Sequence, residues 1–437
     1  MNAPISHQHT NMITLDGQTL EGGGQILRIA IALAALTNQP LSIHSIRGSR
    51  PGKKGLKASH LAAVQSLTEI SNGVVEGATL RSETLSFYPP APTEIPRVKQ
   101  EYSIKLDTPG SAFLVFQALY PYLLRAGALA GIEGPIRVDI TGGTNVTFSP
   151  SFDYVQQVLV PNLKALEFPG LSVEVQKRGW MTGPFELGTV RCLIDPLPLT
   201  TKPDGSVDCR FPSINLNNYK RGAITRIDIT VLAPDDEVSW PTTEPSNDGN
   251  PTTRKFIEQE TITALCNNDL PPHILNLEDP QSPVPINVHT SERTNHQTHI
   301  YLLLVGHTTT GFRIGRDFLL ADAKDPRSKG KSKKHDKDSH RHALVKNLIE
   351  SCVADFENEL WNHNYDQYDC FDRRHQPCVD GYMRDQLVIF EALGRLYPSE
   401  ENEKDEDEDS VEDEQYWSLH TKTARWVCKE FGLKLNR

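Results

Sequence analysis

The spacing of apolar and polar positions along the chain predicts mixed α/β structure. In the N-terminal half, short β-branched runs alternate with stretches whose apolar residues return every three or four positions. Strands are expected at Leu41–Ile46, Leu85–Tyr88, Tyr102–Leu106, Ile136–Ile140 and Leu171–Val175, and helices at Gln25–Leu36, Leu56–Ile70 and Ala112–Leu124. In the second helix Leu61, Val64, Leu67 and Ile70 make one stripe, and Ser71-Asn72-Gly73 ends it, with Gly73 the expected left-handed cap. Strand patterns at Thr225–Leu232 and His299–Val305 flank a helix at Lys255–Cys266, enough for a small inserted domain over 216–309. The last helices are expected at Ala343–Leu360, Met383–Leu396 and His420–Phe431. The large domain is then 14–215 with 310–437.

Segments 235–253, 324–341 and 400–414 carry too few apolar residues to offset their ordering entropy and are expected as disordered insertions, like the polar N-terminus 1–13. This changes the reading of charge. The net charge is 45 − 56 = −11, but Glu400–Glu414 holds eleven acids against one lysine, so the remainder is close to neutral and a nucleic-acid partner stays open. The second insertion is basic, and its KGKSKKHDK run reads either as a solvated loop or as a nuclear import signal. Seven cysteines without regular spacing fit a reducing intracellular compartment, and neither a signal peptide nor a membrane span is expected.

Three helices share a face and open near Gly or Asp: GGQILRIAIALAAL from Gly23, GSAFLVFQAL from Gly110 and DQLVIFEALG from Asp385. They suggest one supersecondary unit used repeatedly. The first follows LDGQTLEGGGQILR, three glycines directly before a helix, which is either a tight structural turn or a phosphate site. Glu21 and Arg28 flank it, a carboxylate suited to a metal and a guanidinium suited to phosphate. A second cluster, IRGSRPGKKGLKASH, puts Arg47, Arg50, Lys53, Lys54 and Lys57 in a loop after a strand without an intervening acid or aromatic ring, so phosphate rather than a base is the expected ligand. His420 in SLHTKT opens an amphipathic helix, where the dipole disfavours imidazolium and leaves a neutral ring nitrogen as a potential nucleophile. Cys370, His375, Cys378 and His363 offer zinc ligands, but no paired CxxC supports them.

In this order, LEGGGQILR, the IRGSR loop ending in GLKASHLAAV, ITGGTN, DGYMRDQLVIFEAL and LHTKTA resemble the RNA 3′-terminal phosphate cyclase family over about Leu15 to Gly432. The resemblance implies an α/β (α+β) fold: a large domain of three repeated units like the C-terminal domain of bacterial initiation factor 3, with a smaller inserted α/β domain. It implies ATP and Mg²⁺ or Mn²⁺ as cofactors and, as partner, RNA ending in a 3′-phosphate; the setting expected from the cysteines and the basic run is intracellular and nuclear. His420 of HTKT then attacks the α-phosphate of ATP to form histidine–AMP. AMP passes to the RNA 3′-phosphate, and the neighbouring 2′-hydroxyl displaces it to leave a 2′,3′-cyclic phosphate.

The resemblance makes Glu21 a metal-site carboxylate, and Arg28, Arg47 and Arg50 clamps for the RNA phosphate or the triphosphate. Gln117 becomes a polar contact in the same site, Pro150 and Tyr382 the two faces around adenine, Asp153 a ribose partner and Asp385 a carboxylate close to the histidine. The chain departs from the family pattern at Ser59, where glutamine is usual, at WMTGPFELG after Gly179, and in a tail of only 17 residues after His420. The alternatives are an RNA-binding or ribosome-biogenesis factor on the same fold, whose non-catalytic relatives lack the histidine, and an enolpyruvyl transferase on a related repeat fold.

Overall fold

The computed structural model describes residues 12–435 apart from 92, 185, 202–206, 237–250, 268–273, 276–283, 321–333, 362–376 and 397–415. The first unit runs β1 (Ile13–Asp16), α1 (Gly24–Thr37), β2 (Leu41–His44), α2 (Ala58–Ser71), β3 (Val74–Glu76) and β4 (Leu85–Tyr88). Its sheet order is β1-β2-β4-β3, with β1 parallel to β2 and the other pairs antiparallel.

The second unit repeats this plan. It comprises β5 (Glu101–Lys105), α3 (Ala112–Leu129), β6 (Ile136–Gly142), a helical stretch of α4 (Phe152–Tyr154), a π turn (Val155–Leu159) and α5 (Val160–Ala165), then β7 (Leu171–Lys177) and β8 (Gly188–Ile194). The order β5-β6-β8-β7 again starts with a parallel pair and continues antiparallel. A short hairpin, β9 (Thr200–Thr201) with β10 (Val207–Asp208), follows.

α1 and α3 are buried almost all round, which is why their apolar residues are not confined to one stripe. By length and composition α3 could cross a membrane, at 18 residues and a mean hydropathy of 1.3, yet 78% of it is buried inside the fold. At the end of α2 the left-handed residue is Asn72 (φ 57°), not Gly73. Asparagine tolerates that conformation, and a Cβ on Gly73 would instead run into the Phe87 ring.

The inserted domain is larger than the alternation of patterns suggested. It consists of β11 (Ile224–Ala233), α6 (Thr253–Cys266), β12 (Ile286–Arg293), β13 (Tyr301–Thr308), β14 (Arg313–Leu319) and α7 (Lys334–Leu360), in the sheet order β12-β11-β13-β14. A boundary at 309 would cut β13 from β14, which pair from Tyr301↔Leu319 to His307↔Arg313. A second hydrophobic core runs from Ile224 to Leu360, so the domain is corrected accordingly. The end of the basic insertion is corrected too, because α7 takes in 334–341 and Arg341 pairs with Asp236. The remainder of that insertion through 333, the acidic block and 237–250 lie outside the described residues, as does the N-terminus through 11; Ile13 already pairs in β1.

Strand alternation explains how the two domains join. Along β13, Leu302 and Leu304 face the second core, whereas Tyr301, Leu303 and Val305 face the main one. A sheet buried on both faces reads as a continuous apolar run, here YLLLV. The joint also carries polar ties: Gln157 to Thr230 at 2.9 Å, Asn162 to the backbone of Arg313, and Arg178 bridging Asp153 and Glu292. The departing WMTGPFELG run belongs here, since Trp180 stacks on His299 at 4.7 Å and 5° while Thr182 O lies 2.8 Å from His299 Nε2. After α7 the chain returns to the main core through α8 (Gly381–Gly394) and α9 (Leu419–Glu430), which pack on each other and, through α9, on α1. Among the described residues, this third helix pair has no four-stranded sheet of its own.

Candidate active site

A cavity of about 640 Å³ opens where α1, α3, the 146–150 loop, β14, α8 and the start of α9 meet. That is the size of a small-molecule site. Arg28, Gln117, Pro150, Tyr382, Asp385 and His420 all line it, so six side chains expected from sequence, spread over almost 400 positions, converge.

His420 is the second residue of α9, whose N-cap is Ser418. The Ser418 Oγ accepts the Thr421 N–H at 2.9 Å and donates to Asp385 Oδ1 at 2.7 Å, while Thr421 Oγ1 donates to the same oxygen at 2.6 Å. Asp385 therefore fixes the turn that presents the histidine. Burial pushes its carboxyl up to about 6 against the hydrogen bonds from Thr421 and Ser418. On the other side, His420 Nδ1 lies 2.6 Å from Gln25 Oε1. With the amide oxygen as acceptor, Nδ1 carries the hydrogen and Nε2 keeps its lone pair. Desolvation first, then the charges of Arg28 and Arg50, lower the imidazole pKa from its ordinary value.

The glycine turn is tight because other groups fill it. Gly22 has φ 58°, and a Cβ on Gly23 or Gly24 would strike the Glu21 carboxylate or the His60 ring. Helix α1 starts at Gly24 without a side-chain cap, so its first N–H groups are available to an anion. One turn on, Arg28 Nε donates to Gln117 Oε1 at 3.1 Å, and Gln117 Nε2 in turn donates to Gln386. Burial lowers the Arg28 pKa to about 10, which leaves it cationic at neutral pH.

Four expected residues, Glu21 among them, do not line the cavity. Arg47 and Arg50 lie outside the cavity wall. Arg50 is ion-paired with Glu21, and Arg47, at φ 59°, has a buried Nε with no hydrogen-bond partner. Asp153 is 2% exposed and held by both terminal nitrogens of Arg178 at 2.8 and 3.0 Å, so the expected ribose partner is corrected to one half of a buried ion pair. Sequence reasoning assigned no role to Gln25, Gln386 or His60, although all three lie inside the quoted motifs, because a glutamine or a lone histidine signals no particular chemistry. His60 is buried beside Gly24 and its pKa lies well below the ordinary value, through desolvation and then the charges of Arg28, Arg47 and Lys57.

A family model described as RNA 3′-terminal phosphate cyclase matches residues 19–435. A Drosophila melanogaster protein named RNA 3′-terminal phosphate cyclase is 36% identical over 384 residues, covering 87% of this chain and 83% of its own. Proteins of the same name from Caldivirga maquilingensis and Thermococcus onnurineus are 43% identical over 169 residues and 41% over 172. Those two matches cover 38% and 39% of this chain and 44% and 45% of theirs. The chain belongs to the RNA 3′-terminal phosphate cyclase family.

Within a phosphate cyclase site a divalent ion needs oxygen ligands. Among the described residues no three His, Cys, Asp or Glu side chains group as a metal site, and of the zinc candidates only Cys378 is described, buried with its thiol pushed up to about 12. Glu21 nevertheless suits Mg²⁺ or Mn²⁺, because its buried Oε2 has no hydrogen-bond partner and such ions take one or two carboxylates together with substrate phosphates.

Proposed function

We propose that this chain uses ATP to convert an RNA 3′-terminal phosphate into a 2′,3′-cyclic phosphate, with His420 as the nucleophile. The observation that carries the assignment is the 2.6 Å contact from His420 Nδ1 to Gln25 Oε1 on the wall of a nucleotide-sized cavity; with the amide oxygen as acceptor, Nε2 is left with its lone pair. Nε2 attacks the α-phosphorus and pyrophosphate leaves. The RNA 3′-phosphate takes AMP from the histidine, and the 2′-hydroxyl, losing its proton, displaces AMP to close the ring. Each step is an in-line displacement that needs charge neutralisation more than acid–base work.

In this reading Tyr382 and Pro150 take the base between them, and Arg28 with the first N–H groups of α1 takes the triphosphate. Arg47, with its unpartnered Nε, and Arg50 take the RNA phosphate. Glu21 would hold the divalent ion, which supplies neutralising charge at the phosphates. Asp385 positions the histidine. The matching order of the two sheets supports reading the repeated unit as the fold of the initiation factor 3 C-terminal domain. The basic run at 329–337 supports a nuclear setting, tested by following a fluorescent fusion without it.

Incubation with α-labelled ATP and Mg²⁺ or Mn²⁺ should label the protein covalently, and RNA bearing a 3′-phosphate should discharge the label and be cyclised. A folded protein that takes no label would instead be an RNA-binding factor on this fold.

A further inference from the structure

The inserted domain supplies one wall of the cavity, through Asp317, Phe318 and Leu319 at the end of β14. The odd-numbered residues of this strand face the main domain: a Cβ on Gly315 would meet Tyr154 and Val158, and Leu319 belongs to the main core. Asp317 shares that face. Its Oδ2 accepts from the Tyr301 hydroxyl at 2.9 Å, and that hydroxyl lies 2.5 Å from Ser151 Oγ, so the carboxylate is anchored from both domains. The preceding residue, Arg316, places its guanidinium 4.3 Å from the centre of the Tyr382 ring and pairs with Glu359.

The cavity thus has two electrostatic ends. At one end burial and then Arg28 and Arg50 lower the His420 pKa; at the other burial and then Asp317 raise that of Tyr382, against Arg316. We propose that Asp317 is a specificity residue that accepts a hydrogen bond from the 6-amino group of adenine lying against Tyr382. The proposal rests on the nucleotide occupying the cavity as described above. A carboxylate only accepts hydrogen bonds, so it suits the 6-amino donor and opposes the 6-oxo acceptor of guanine or hypoxanthine. Because ribose joins the base to the α-phosphate, its hydroxyls would sit between Tyr382 and His420 rather than at the base edge that Asp317 would meet.

The test measures covalent labelling of the full chain by α-labelled ATP, inosine triphosphate and 2′-deoxyATP. Asp317→Ala should lower kcat/KM for ATP roughly ten- to a hundredfold, the worth of a hydrogen bond to a charged group, while kcat/KM for inosine triphosphate should not fall and should rise where the carboxylate had opposed its 6-oxo group. Asp317→Asn keeps the shape and can accept from Tyr301 while turning its NH₂ to the base, so it should shift preference toward inosine triphosphate by at least about tenfold. It also decides the matter if the alanine variant does not fold. An unchanged ATP-to-inosine-triphosphate ratio in a labelled Asp317→Asn protein would overturn the assignment, as would a change confined to 2′-deoxyATP. A wild type labelled by no nucleotide would overturn the functional reading and this assignment with it.

Discussion

His420 and Gln25 stand 395 positions apart in sequence and 2.6 Å apart in space. With the amide oxygen as acceptor, the contact selects the imidazole tautomer that a nitrogen nucleophile at Nε2 requires. Gln25→Ala should slow histidine–AMP formation roughly two- to tenfold, the usual worth of one hydrogen bond. Gln25→Glu keeps an acceptor but adds a negative charge that favours imidazolium, so its acid limb in a pH–rate profile should move to higher pH. Identical profiles for wild type and Gln25→Glu would mean that the contact does not govern the histidine.

The nucleophile itself is tested by His420→Ala. The ring lines the cavity rather than the core, so the variant should fold and take no label. The wild-type adduct should be acid-labile and alkali-stable, as a phosphoramidate is. Label persisting in folded His420→Ala would move the nucleophile elsewhere.

Arg50 and Arg28 should separate the half-reactions. Arg50 sits outside the cavity wall, so Arg50→Ala should reduce cyclisation of a 3′-phosphorylated RNA about ten- to a hundredfold and histidine–AMP formation much less. Arg28→Ala should weaken both steps, because Arg28 lines the cavity. Both arginines lower the His420 pKa, so either variant should also raise the pH at which labelling falls off in acid. Equal loss of both steps in Arg50→Ala would tie this loop to ATP or to folding.

Asp385 predicts a pH dependence of stability. Its folded pKa is raised to about 6, above the ordinary carboxyl value of 3.8, so the folded form holds the extra proton between those limits. Its contribution is fully present below about pH 4 and is lost as pH rises through 6. Asp385→Asn retains the oxygen that accepts from Ser418 and Thr421 without the ionisation. The melting temperature of Asp385→Asn relative to wild type should therefore increase from pH 4 to pH 7. A constant difference across that range would contradict the shift.

The Arg178–Asp153 pair ties the second repeat to Glu292 of the inserted domain. Arg178→Met strands a buried carboxylate, and such breaks cost about 3–5 kcal/mol. Arg178→Met combined with Asp153→Asn should recover part of that loss in denaturant melts, which would not happen if Asp153 served only a ligand.

Local pattern determined much of this protein. Periodicity located α1, α2, α3 and the central strands to within a few residues, because helix and strand periods register burial directly. The ordered motifs also picked out six residues of the cavity wall. Tertiary structure decided what depends on partners far away in sequence. β14 could not be read from its own polar GRD stretch, since its pairing with β13 and the docking of α7 place it in the second domain. Asp153 looked like a ligand until Arg178 closed on it, and Gln25 looked like any helix residue until α9 brought His420 against it. An isolated residue type states which bonds it can make; the folded chain, by excluding water and choosing the neighbour, determines which one it does make.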